Sequence, residues 1–220
     1  MYSQKKVQCL SIDSTRCYTE LCNIGRLTNA DKSPYGDIKL GMHRHPYTGV
    51  YAMLFAPLKN KQIDFVEIGI AGGASVMMWW NYFTQASLYF FDRDENFVGN
   101  VDKIKFPARK PYASLMDVAV DGNITATLKK TGKLFDVILD DSSHVYEHQI
   151  RIIKEAFEFV KPGGYLIIED IYRDVDEKKY EDDLVNIIPL CSNVYFVVCN
   201  HDERYSPQWN NDKLLVLVKK

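Results

Sequence analysis

The sequence lacks the features that mark membrane, secreted and nucleic-acid-binding proteins. It has no run of about 18 apolar residues, and its first stretch, "MYSQKKVQCLSIDST", has no apolar core of the kind found in a secretion signal. Its net charge is −2, with acidic and basic residues mixed, so no positive field would attract a phosphate backbone. We therefore expect a soluble, cytoplasmic protein that binds neither membranes nor nucleic acids.

Cysteine pairs are also missing. The sequence has an odd number of cysteines, and none stands in a Cys-x-x-Cys pair: Cys9, Cys17, Cys22, Cys191 and Cys199. This spacing argues against a zinc knuckle and against a disulfide framework, and it fits a reducing compartment.

What the chain does contain is an alternation of strand and helix patterns from residue 63 onward. At 220 residues and 46% hydrophobic content it can form one large domain. Strands are predicted at "IDFVEIGI", "SLYFFD", "PYASLMD", "LFDVILD", "YLIIED", "NVYFVVC" and "KLLVLVK". The last two have no helix between them and should pair antiparallel. We predict an α/β, doubly wound, Rossmann-like sheet of seven strands, mostly parallel with a C-terminal antiparallel hairpin and with helices on both faces.

A glycine-rich turn follows the first of these strands. "VEIGIAGGAS" places Gly69, Gly72 and Gly73 between strand and helix, where glycine lets a ligand approach the backbone and the helix start offers unpaired N–H groups. Asp92 ends the next strand, where a carboxylate can accept hydrogen bonds from a ribose, and Asp117 follows the third strand and could reach an adenine. The alternatives are a glycine turn that serves packing and solvated carboxylates at strand ends.

Carboxylates and an imidazole follow the fourth and fifth predicted strands. "ILDDSSH" places Asp141 and His144 after one strand, and Glu169 and Asp170 end the other. Crowded carboxylates suit Mg²⁺, which prefers oxygen ligands, and a histidine can accept a proton near neutral pH. These residues could equally be helix caps and turn residues, and His144 could be a hydrogen-bonded residue of the first helical turn.

Together these segments resemble a class I S-adenosylmethionine-dependent methyltransferase. The block "DDSSH…KPGGYLIIED" resembles more specifically the metal-dependent sugar O-methyltransferases of macrolide biosynthesis, the mycinamicin and macrocin type. The likeness is good over residues 63 to about 172. It differs in the glycine loop, which reads "IAGG", and in the short N-terminal region.

The resemblance implies a role for each residue that matches the family's motifs. Asp141, Glu169 and Asp170 would hold Mg²⁺, with Asp141 and His144 as catalytic residues and His144 as the base. S-Adenosylmethionine would be bound by a larger set, in which Asp140 is expected to give structural support: Glu67, Gly69, Gly72, Gly73, Ser75, Asp92, Asp117 and Asp140.

The N-terminal segment is expected to form a separate unit. We predict a lid or cap over residues 1–60 and an S-adenosylmethionine-binding domain over 61–220. "LTNADKSPYGDIKLGMHRHPYTGVY" resembles N-terminal segments of small relatives, in which Lys32, His43, His45 and Tyr47 could cover the cofactor or the acceptor. The two histidines could equally belong to a surface turn.

The function predicted from the sequence is O-methylation of a sugar or another small polar metabolite with a hydroxyl group, assisted by Mg²⁺. One alternative is a metal-independent methyltransferase that acts on an amine or a phosphate-bearing acceptor. Another is a non-catalytic module that keeps the fold and binds the cofactor. A homo-oligomer is possible, because relatives often assemble.

Overall fold

The computed structural model describes residues 7–36, 43–207 and 209–220. Its strands are β1 (Val7–Asp13), β2 (Asp64–Ile68), β3 (Ser87–Asp92), β4 (Tyr112–Leu115), β5 (Phe135–Asp140), β6 (Val160–Ile171), β7 (Cys191–Asn200) and β8 (Lys213–Lys219). Its α-helices are α1 (Glu20–Thr28), α2 (Tyr47–Phe55), α3 (Ala74–Tyr82), α4 (Glu95–Lys103), α5 (Asn123–Lys130), α6 (Tyr146–Ala156) and α7 (Glu177–Asp183).

The strands of the described residues form one sheet in the order β4-β3-β2-β5-β6-β8-β7-β1. All neighbours are parallel except β8, which runs antiparallel to both β6 and β7. The predicted α/β fold with a mostly parallel sheet and a terminal hairpin is therefore confirmed. The order reverses between β2 and β5, so the carboxyl ends of these central strands form the crevice in which such sheets bind ligands.

In the part of the chain that the structure describes, the sheet has eight strands rather than the seven predicted. The additional strand, β1, lies at the edge of the sheet and pairs in parallel with β7, from Val7 opposite Val194 to Asp13 opposite Asn200. Its residues are mostly exposed or half-buried, and Val7 alone among them is buried. The stretch "VQCLSID" contains apolar residues, but it lies outside the alternation of strands and helices that begins at residue 63, so the prediction did not include it.

Two helical predictions also differ from the structure. The segment before "LFDVILD" is polar and does not predict a helix from its sequence, but residues 123–130 form α5, whose buried residues Ile124, Thr127 and Leu128 lie on one face. The apolar residues Ile150, Ile153, Phe157 and Val160 stand three or four positions apart and predict a helix over residues 145–160, but α6 ends at Ala156 and β6 begins at Val160.

The sheet packs between two hydrophobic layers. One contains residues of α5, α6 and α7, such as Ile153, and the other contains residues of α1, α2 and α3, such as Trp79. Neighbouring residues of one strand, such as Phe65 and Val66, belong to opposite layers, as the period of a strand requires. Because both faces are buried, the edge formed by the strand ends is the part of the sheet that side chains can line for chemistry.

Candidate active site

The candidate site lies at the carboxyl ends of β2, β5 and β6, which are neighbours in the sheet. Asp140, the last residue of β5, stands in register with Ile68 on one side and with Ile168 on the other. The residues that come next in the three chain segments, Gly69, Asp141 and Glu169, therefore lie side by side. This register brings the glycine loop, the Asp141 to His144 segment and the Glu169–Asp170 pair into one crevice.

Gly69 marks the closest approach between two of these segments. Its φ is +109°, and a Cβ atom built on it would lie 1.9 Å from the carbonyl oxygen of Asp141. Only glycine fits such a contact. Gly73, with a φ of +80°, precedes α3, whereas a Cβ atom on Gly72 would meet nothing within 4 Å.

Asp92 holds the glycine loop in place. Its Oδ2 accepts hydrogen bonds from the backbone N–H groups of Ile70 (2.8 Å) and Ala71 (3.4 Å), and its Oδ1 accepts one from Asp94 (3.0 Å). Asp92, which is predicted to bind the ribose, therefore also positions the glycine loop.

Two cavities border the glycine loop. The larger, of about 220 Å³, is lined by residues that include Gly69, Asp92, Asp117, Asp141 and Ser143. The smaller, of about 70 Å³, is lined by residues that include Asp31, Gly69, Gly72, Ser75 and Asp141. Both cavities reach Gly69 and Asp141, so an elongated ligand could pass from one into the other.

Asp117 and Asp140 have local backbone roles. The Oδ1 of Asp117 accepts a hydrogen bond from the backbone N–H of Ala119 at 2.9 Å. Asp140 is buried, and its Oδ1 accepts hydrogen bonds from the Ser142 hydroxyl (2.6 Å) and backbone N–H (3.2 Å). Burial raises the pKa of Asp140 to about 6, although the Ser142 hydrogen bonds act in the opposite direction.

A buried ammonium group lies at the centre of the site. The Nζ of Lys32 contacts Asp141, Glu169 (2.6 Å) and Glu67 (3.2 Å), and the Lys32 side chain is only 1% exposed. Burial opposes its charge, but the carboxylates of Asp141, Glu169 and Glu67 raise the pKa of Lys32 well above its ordinary value. The lysine is therefore held as a cation among three carboxyl groups.

Glu67 and Glu169 are both fully buried carboxyl groups. The hydroxyl of Ser75 donates to Glu67 Oε2 at 2.8 Å, and the hydroxyl of Tyr51 donates to Glu169 Oε1 at 2.5 Å. Burial raises the pKa of Glu67 to about 7 and that of Glu169 well above its ordinary value, in both cases against the effect of Lys32. Both glutamates thus face inward, toward Lys32.

Asp141, His144 and Asp170 converge next to this cluster. Each offers a carboxylate oxygen or an imidazole nitrogen, and these atoms lie within 4.8 Å of one another. His144 Nε2 is 3.4 Å from Asp170 Oδ2 and 4.0 Å from Asp141 Oδ1, and the buried His144 Nδ1 has no hydrogen-bond partner among the described residues. His144 and Asp170 have φ angles of +55° and +59°, a left-handed conformation that costs a non-glycine residue roughly 1 to 3 kcal/mol.

The N-terminal segment reaches the outer side of Asp170. The hydroxyl of Tyr47 donates to Asp170 Oδ1 at 2.6 Å, and the ring of Tyr47 stacks on that of His45. His45 Nδ1 is 2.8 Å from Asp212 Oδ1, and its Nε2 is 3.8 Å from Asp170 Oδ1. Burial lowers the pKa of His45, but the carboxylates of Asp170 and Asp212 outweigh it and raise the value above the ordinary one.

His43 lies one ring further out. Its ring is 5.4 Å from that of His45 and 5.1 Å from that of Trp209, measured between centroids, and its Nδ1 is 3.1 Å from the Ser206 hydroxyl. Burial, aided by nearby His45, lowers the pKa of His43. His43 is therefore part of the rim formed with the loop between β7 and β8.

The structure brings most of the predicted site residues together. They form one group along the cavities and a second group around the carboxylates. Gly69, Ser75, Asp92 and Asp117 border the cavities, and Lys32 contacts the carboxylates beside them directly. The prediction that Glu169 holds a metal stays a prediction, because its oxygens contact Lys32 and Tyr51.

Sequence reasoning missed three residues of the site. Tyr51 lies four residues after Tyr47 on α2, a spacing that places both on one helix face and could have indicated it. Asp31 and Asp212 carried no such signal, because each is brought to the site by contacts between distant segments.

The central part of the chain matches a known protein family. Residues 66–171 match a family model described as a methyltransferase domain. Residues 66–171 form a methyltransferase domain. The match includes the glycine loop, Asp92, the Asp141 to His144 segment and the Glu169–Asp170 pair, so the class I methyltransferase resemblance is confirmed.

Curated relatives of this methyltransferase domain are O-methyltransferases. The chain is 28% identical over 159 residues to 8-demethyl-8-alpha-L-rhamnosyl tetracenomycin-C 2'-O-methyltransferase of Streptomyces olivaceus, covering 68% of this chain and 39% of the relative. It is 27% identical to mycinamicin VI 2''-O-methyltransferase of Micromonospora griseorubida, covering 58% of this chain and 32% of the relative. The chain thus spans between 32% and 39% of the length of these relatives.

Solved methyltransferase structures share the fold. The MycE methyltransferase of the mycinamycin biosynthetic pathway, in complex with Mg, SAH and mycinamycin VI, superposes with a TM-score of 0.65 at 17% identity, covering 91% of this chain and 54% of that one. The plantazolicin methyltransferase BpumL gives a TM-score of 0.55 at 12% identity, covering 90% and 86% of the two chains.

Within residues 7–36, 43–207 and 209–220, none of the helices combines the length and the apolar character needed to cross a membrane.

Proposed function

We propose that this protein transfers a methyl group from S-adenosylmethionine to a hydroxyl group of a sugar or another small polar metabolite, with Mg²⁺ and with His144 as general base. The observation that carries the proposal is the convergence of Asp141, His144 and Asp170 beside the cavities of a methyltransferase domain. Relatives named as sugar O-methyltransferases support the choice of acceptor.

The two cavities fit the two ends of the donor. The larger cavity, with Asp92 and Asp117 on its walls, would take the ribose and the adenine, and the smaller one, beside Gly72, Ser75 and Asp31, would take the amino acid part. S-Adenosylmethionine supplies an activated methyl group on a sulfonium. The task that remains for the chain is to align an acceptor oxygen with that methyl group and to take its proton.

The residues at the strand ends fit a divalent ion. Asp141 and Asp170 offer carboxylate oxygens, the ligands that Mg²⁺ prefers. The His144 imidazole lies beside these oxygens. Asp141 and Asp170, with Glu169 as a further candidate, would hold the ion. When bound, Mg²⁺ supplies positive charge that makes a nearby hydroxyl easier to deprotonate.

His144 is suited to accept the acceptor proton. Its imidazole is partly exposed, and its Nε2 points to the space between Asp141 and Asp170. Asp170 is in turn fixed by the Tyr47 hydroxyl. The left-handed backbone of both His144 and Asp170 aims their side chains at this common point, and strain of this kind is typical of functional sites.

We also propose that the N-terminal segment, residues 1–60, closes the acceptor side as a lid or cap over the domain of residues 61–220. Its support is that Lys32, His45 and Tyr47 contact the site while His43 stands at the rim. We expect a cytoplasmic location and no binding of nucleic acids or membranes. A homo-oligomer remains compatible with the fold.

The test combines a transfer assay with donor binding. Labelled S-adenosylmethionine is offered with rhamnosides and other glycosides, with Mg²⁺ or with a chelator, and S-adenosylhomocysteine is titrated calorimetrically. Asp141→Ala should abolish transfer while the affinity for S-adenosylhomocysteine changes less than about threefold, because Asp141 acts on the acceptor. Asp136→Ala, at the other end of β5, is the matched control and should retain transfer.

Each other outcome points to a different function. Equal loss of donor binding in Asp141→Ala would contradict the role of Asp141. Transfer that survives chelation would favour the metal-independent reaction on an amine or phosphate-bearing acceptor. Donor binding without transfer to any acceptor would favour a non-catalytic module.

A further inference from the structure

Lys32 is a buried site residue whose position follows from no motif of the methyltransferase domain. It lies outside residues 66–171, between α1 and α2, yet its ammonium reaches carboxylates that come from β2, from the segment after β5 and from β6. Those partners are Glu67, Asp141 and Glu169.

The backbone of Lys32 is fixed as firmly as its side chain. Its carbonyl oxygen accepts hydrogen bonds from the N–H groups of Tyr47 (3.1 Å) and Thr48 (3.0 Å), in the first turn of α2. The carbonyl oxygen of the preceding Asp31 accepts one from His45 at 2.6 Å. The helix start that carries Tyr47 is therefore tied to the residue that carries the ammonium.

A second buried lysine shows what a structural role looks like. The ammonium of Lys213 bonds the carbonyl oxygens of Arg173 (3.0 Å) and Val175 (2.7 Å) and the carboxylate of Glu177 (3.0 Å). Two of its three partners are neutral, and none is a candidate site residue. All three ionic partners of Lys32 are carboxyl groups of the site, so its charge acts on the site itself.

Lys32 also determines which oxygen of Asp141 is presented. It contacts Oδ2, and the other oxygen, Oδ1, lies on the side of His144. In the same way Lys32 and Tyr51 take one oxygen each of Glu169. Without the ammonium, buried carboxylates would face one another with no internal cation to offset their repulsion.

We propose that Lys32 is a positioning residue that serves as the resident cation of the site: it orients Asp141 and limits how strongly the carboxylates attract a divalent ion. The inference rests on the proposed function in taking the Asp141, His144 and Asp170 group as the place of the ion. Removing the ammonium takes away a positive charge that repels the ion and releases the Asp141 oxygen that it holds.

The test measures divalent-ion binding directly, with Mn²⁺ as the probe in calorimetric titration and electron paramagnetic resonance. Lys32→Met, which keeps the length of the chain but not the charge, should bind Mn²⁺ more tightly by a factor on the order of ten or more, because a like charge a few ångströms away is gone. Lys213→Met, the matched control, should bind Mn²⁺ within about twofold of the wild type. Lys32→Met should also lower kcat, since Asp141 is no longer held.

A merely structural lysine would not raise the affinity for the ion, so an unchanged or weaker Mn²⁺ affinity in folded Lys32→Met overturns the proposal. Lys32→Gln serves as the second variant if Lys32→Met does not fold. Failure of both to fold also overturns it, because Lys32 would then be needed for the fold rather than for the carboxylates. The titration needs no acceptor, so a gain in Mn²⁺ affinity supports this inference even where no methyl transfer is found.

Discussion

The two halves of the candidate site are built in different ways. The donor half, along the glycine loop and Asp92, consists largely of backbone groups and cavity walls from segments within residues 68–148, with Asp31 added at the smaller cavity. The acceptor half consists of buried side chains from distant segments, with Lys32 and Asp141 separated by 109 residues. The difference teaches that a donor pocket can be encoded locally, whereas the charged centre beside it depends on the whole fold.

The largest effect is expected from a change at Gly69, where the donor half and the acceptor half of the site meet. Gly69→Ala would force a Cβ atom to within 1.9 Å of the Asp141 carbonyl at a φ of +109°. We expect a loss of at least about 3 kcal/mol in the free energy of unfolding, together with loss of donor binding. Urea denaturation measures the first effect and titration with S-adenosylhomocysteine the second.

Gly72→Ala is the control, because a Cβ atom there meets nothing within 4 Å. It should change the free energy of unfolding by less than about 0.5 kcal/mol. If Gly69→Ala were as stable as Gly72→Ala, the close contact between the halves would be refuted.

The donor half alone should respond to Asp92→Ala. This change leaves the N–H groups of Ile70 and Ala71 without their acceptor and removes the proposed ribose ligand. We expect the dissociation constant for S-adenosylhomocysteine to rise about tenfold or more, which corresponds to one good hydrogen bond to a charged group. Mn²⁺ affinity should stay the same; a parallel loss would show that the halves are not independent.

The acceptor half alone should respond to Tyr47→Phe. The change removes the O–H that donates to Asp170 but keeps the ring that stacks on His45. We expect kcat to fall about tenfold and the free energy of unfolding to fall by about 1 kcal/mol, with donor affinity unchanged. Steady-state kinetics at saturating donor would show it, and an effect confined to donor affinity would count against the assignment of Tyr47.

The smallest expected effect concerns the stability of the carboxylate half at different pH values. Burial raises the pKa of Asp140 from an ordinary 3.8 to about 6, so the folded state holds this proton more tightly than the unfolded chain does. The corresponding stability is fully present below the ordinary pKa and is lost as the pH rises through about 6. Between about pH 5 and about pH 7 the wild type should lose about 1 kcal/mol that Asp140→Asn does not lose. Identical pH profiles of the two proteins in urea denaturation would disprove it.

The same contrast explains which features the sequence reveals. The central strands and the terminal hairpin could be predicted, because runs such as "FDVILD" and "YLIIED" are buried on both faces and carry a strong apolar signal. β1 was not predicted, because it precedes the alternation of strands and helices on which the prediction rested. The residues after each central strand could be assigned to one crevice because parallel strands end at the same edge.

The residues that reach the site through tertiary contacts were harder to assign. Lys32 could be predicted to lie near the cofactor or the acceptor, but its ion pairs could not, since nothing near position 32 shows that its partners are Glu67, Asp141 and Glu169. Asp212 is another case, because its partner His45 lies 167 residues away. A charge network of this kind has no spacing rule, and only the folded chain defines it.

The ammonium of Lys32 and the carboxylate of Glu169 are 137 positions apart along the polypeptide. Closing a loop of that size costs conformational entropy before the contact stabilises the chain, so we expect this ion pair to form only once the sheet is complete. A fragment of the chain would therefore keep the sequence motifs but would lack a functional active site. The presence of the Lys32–Glu169 ion pair therefore indicates that the whole chain has folded.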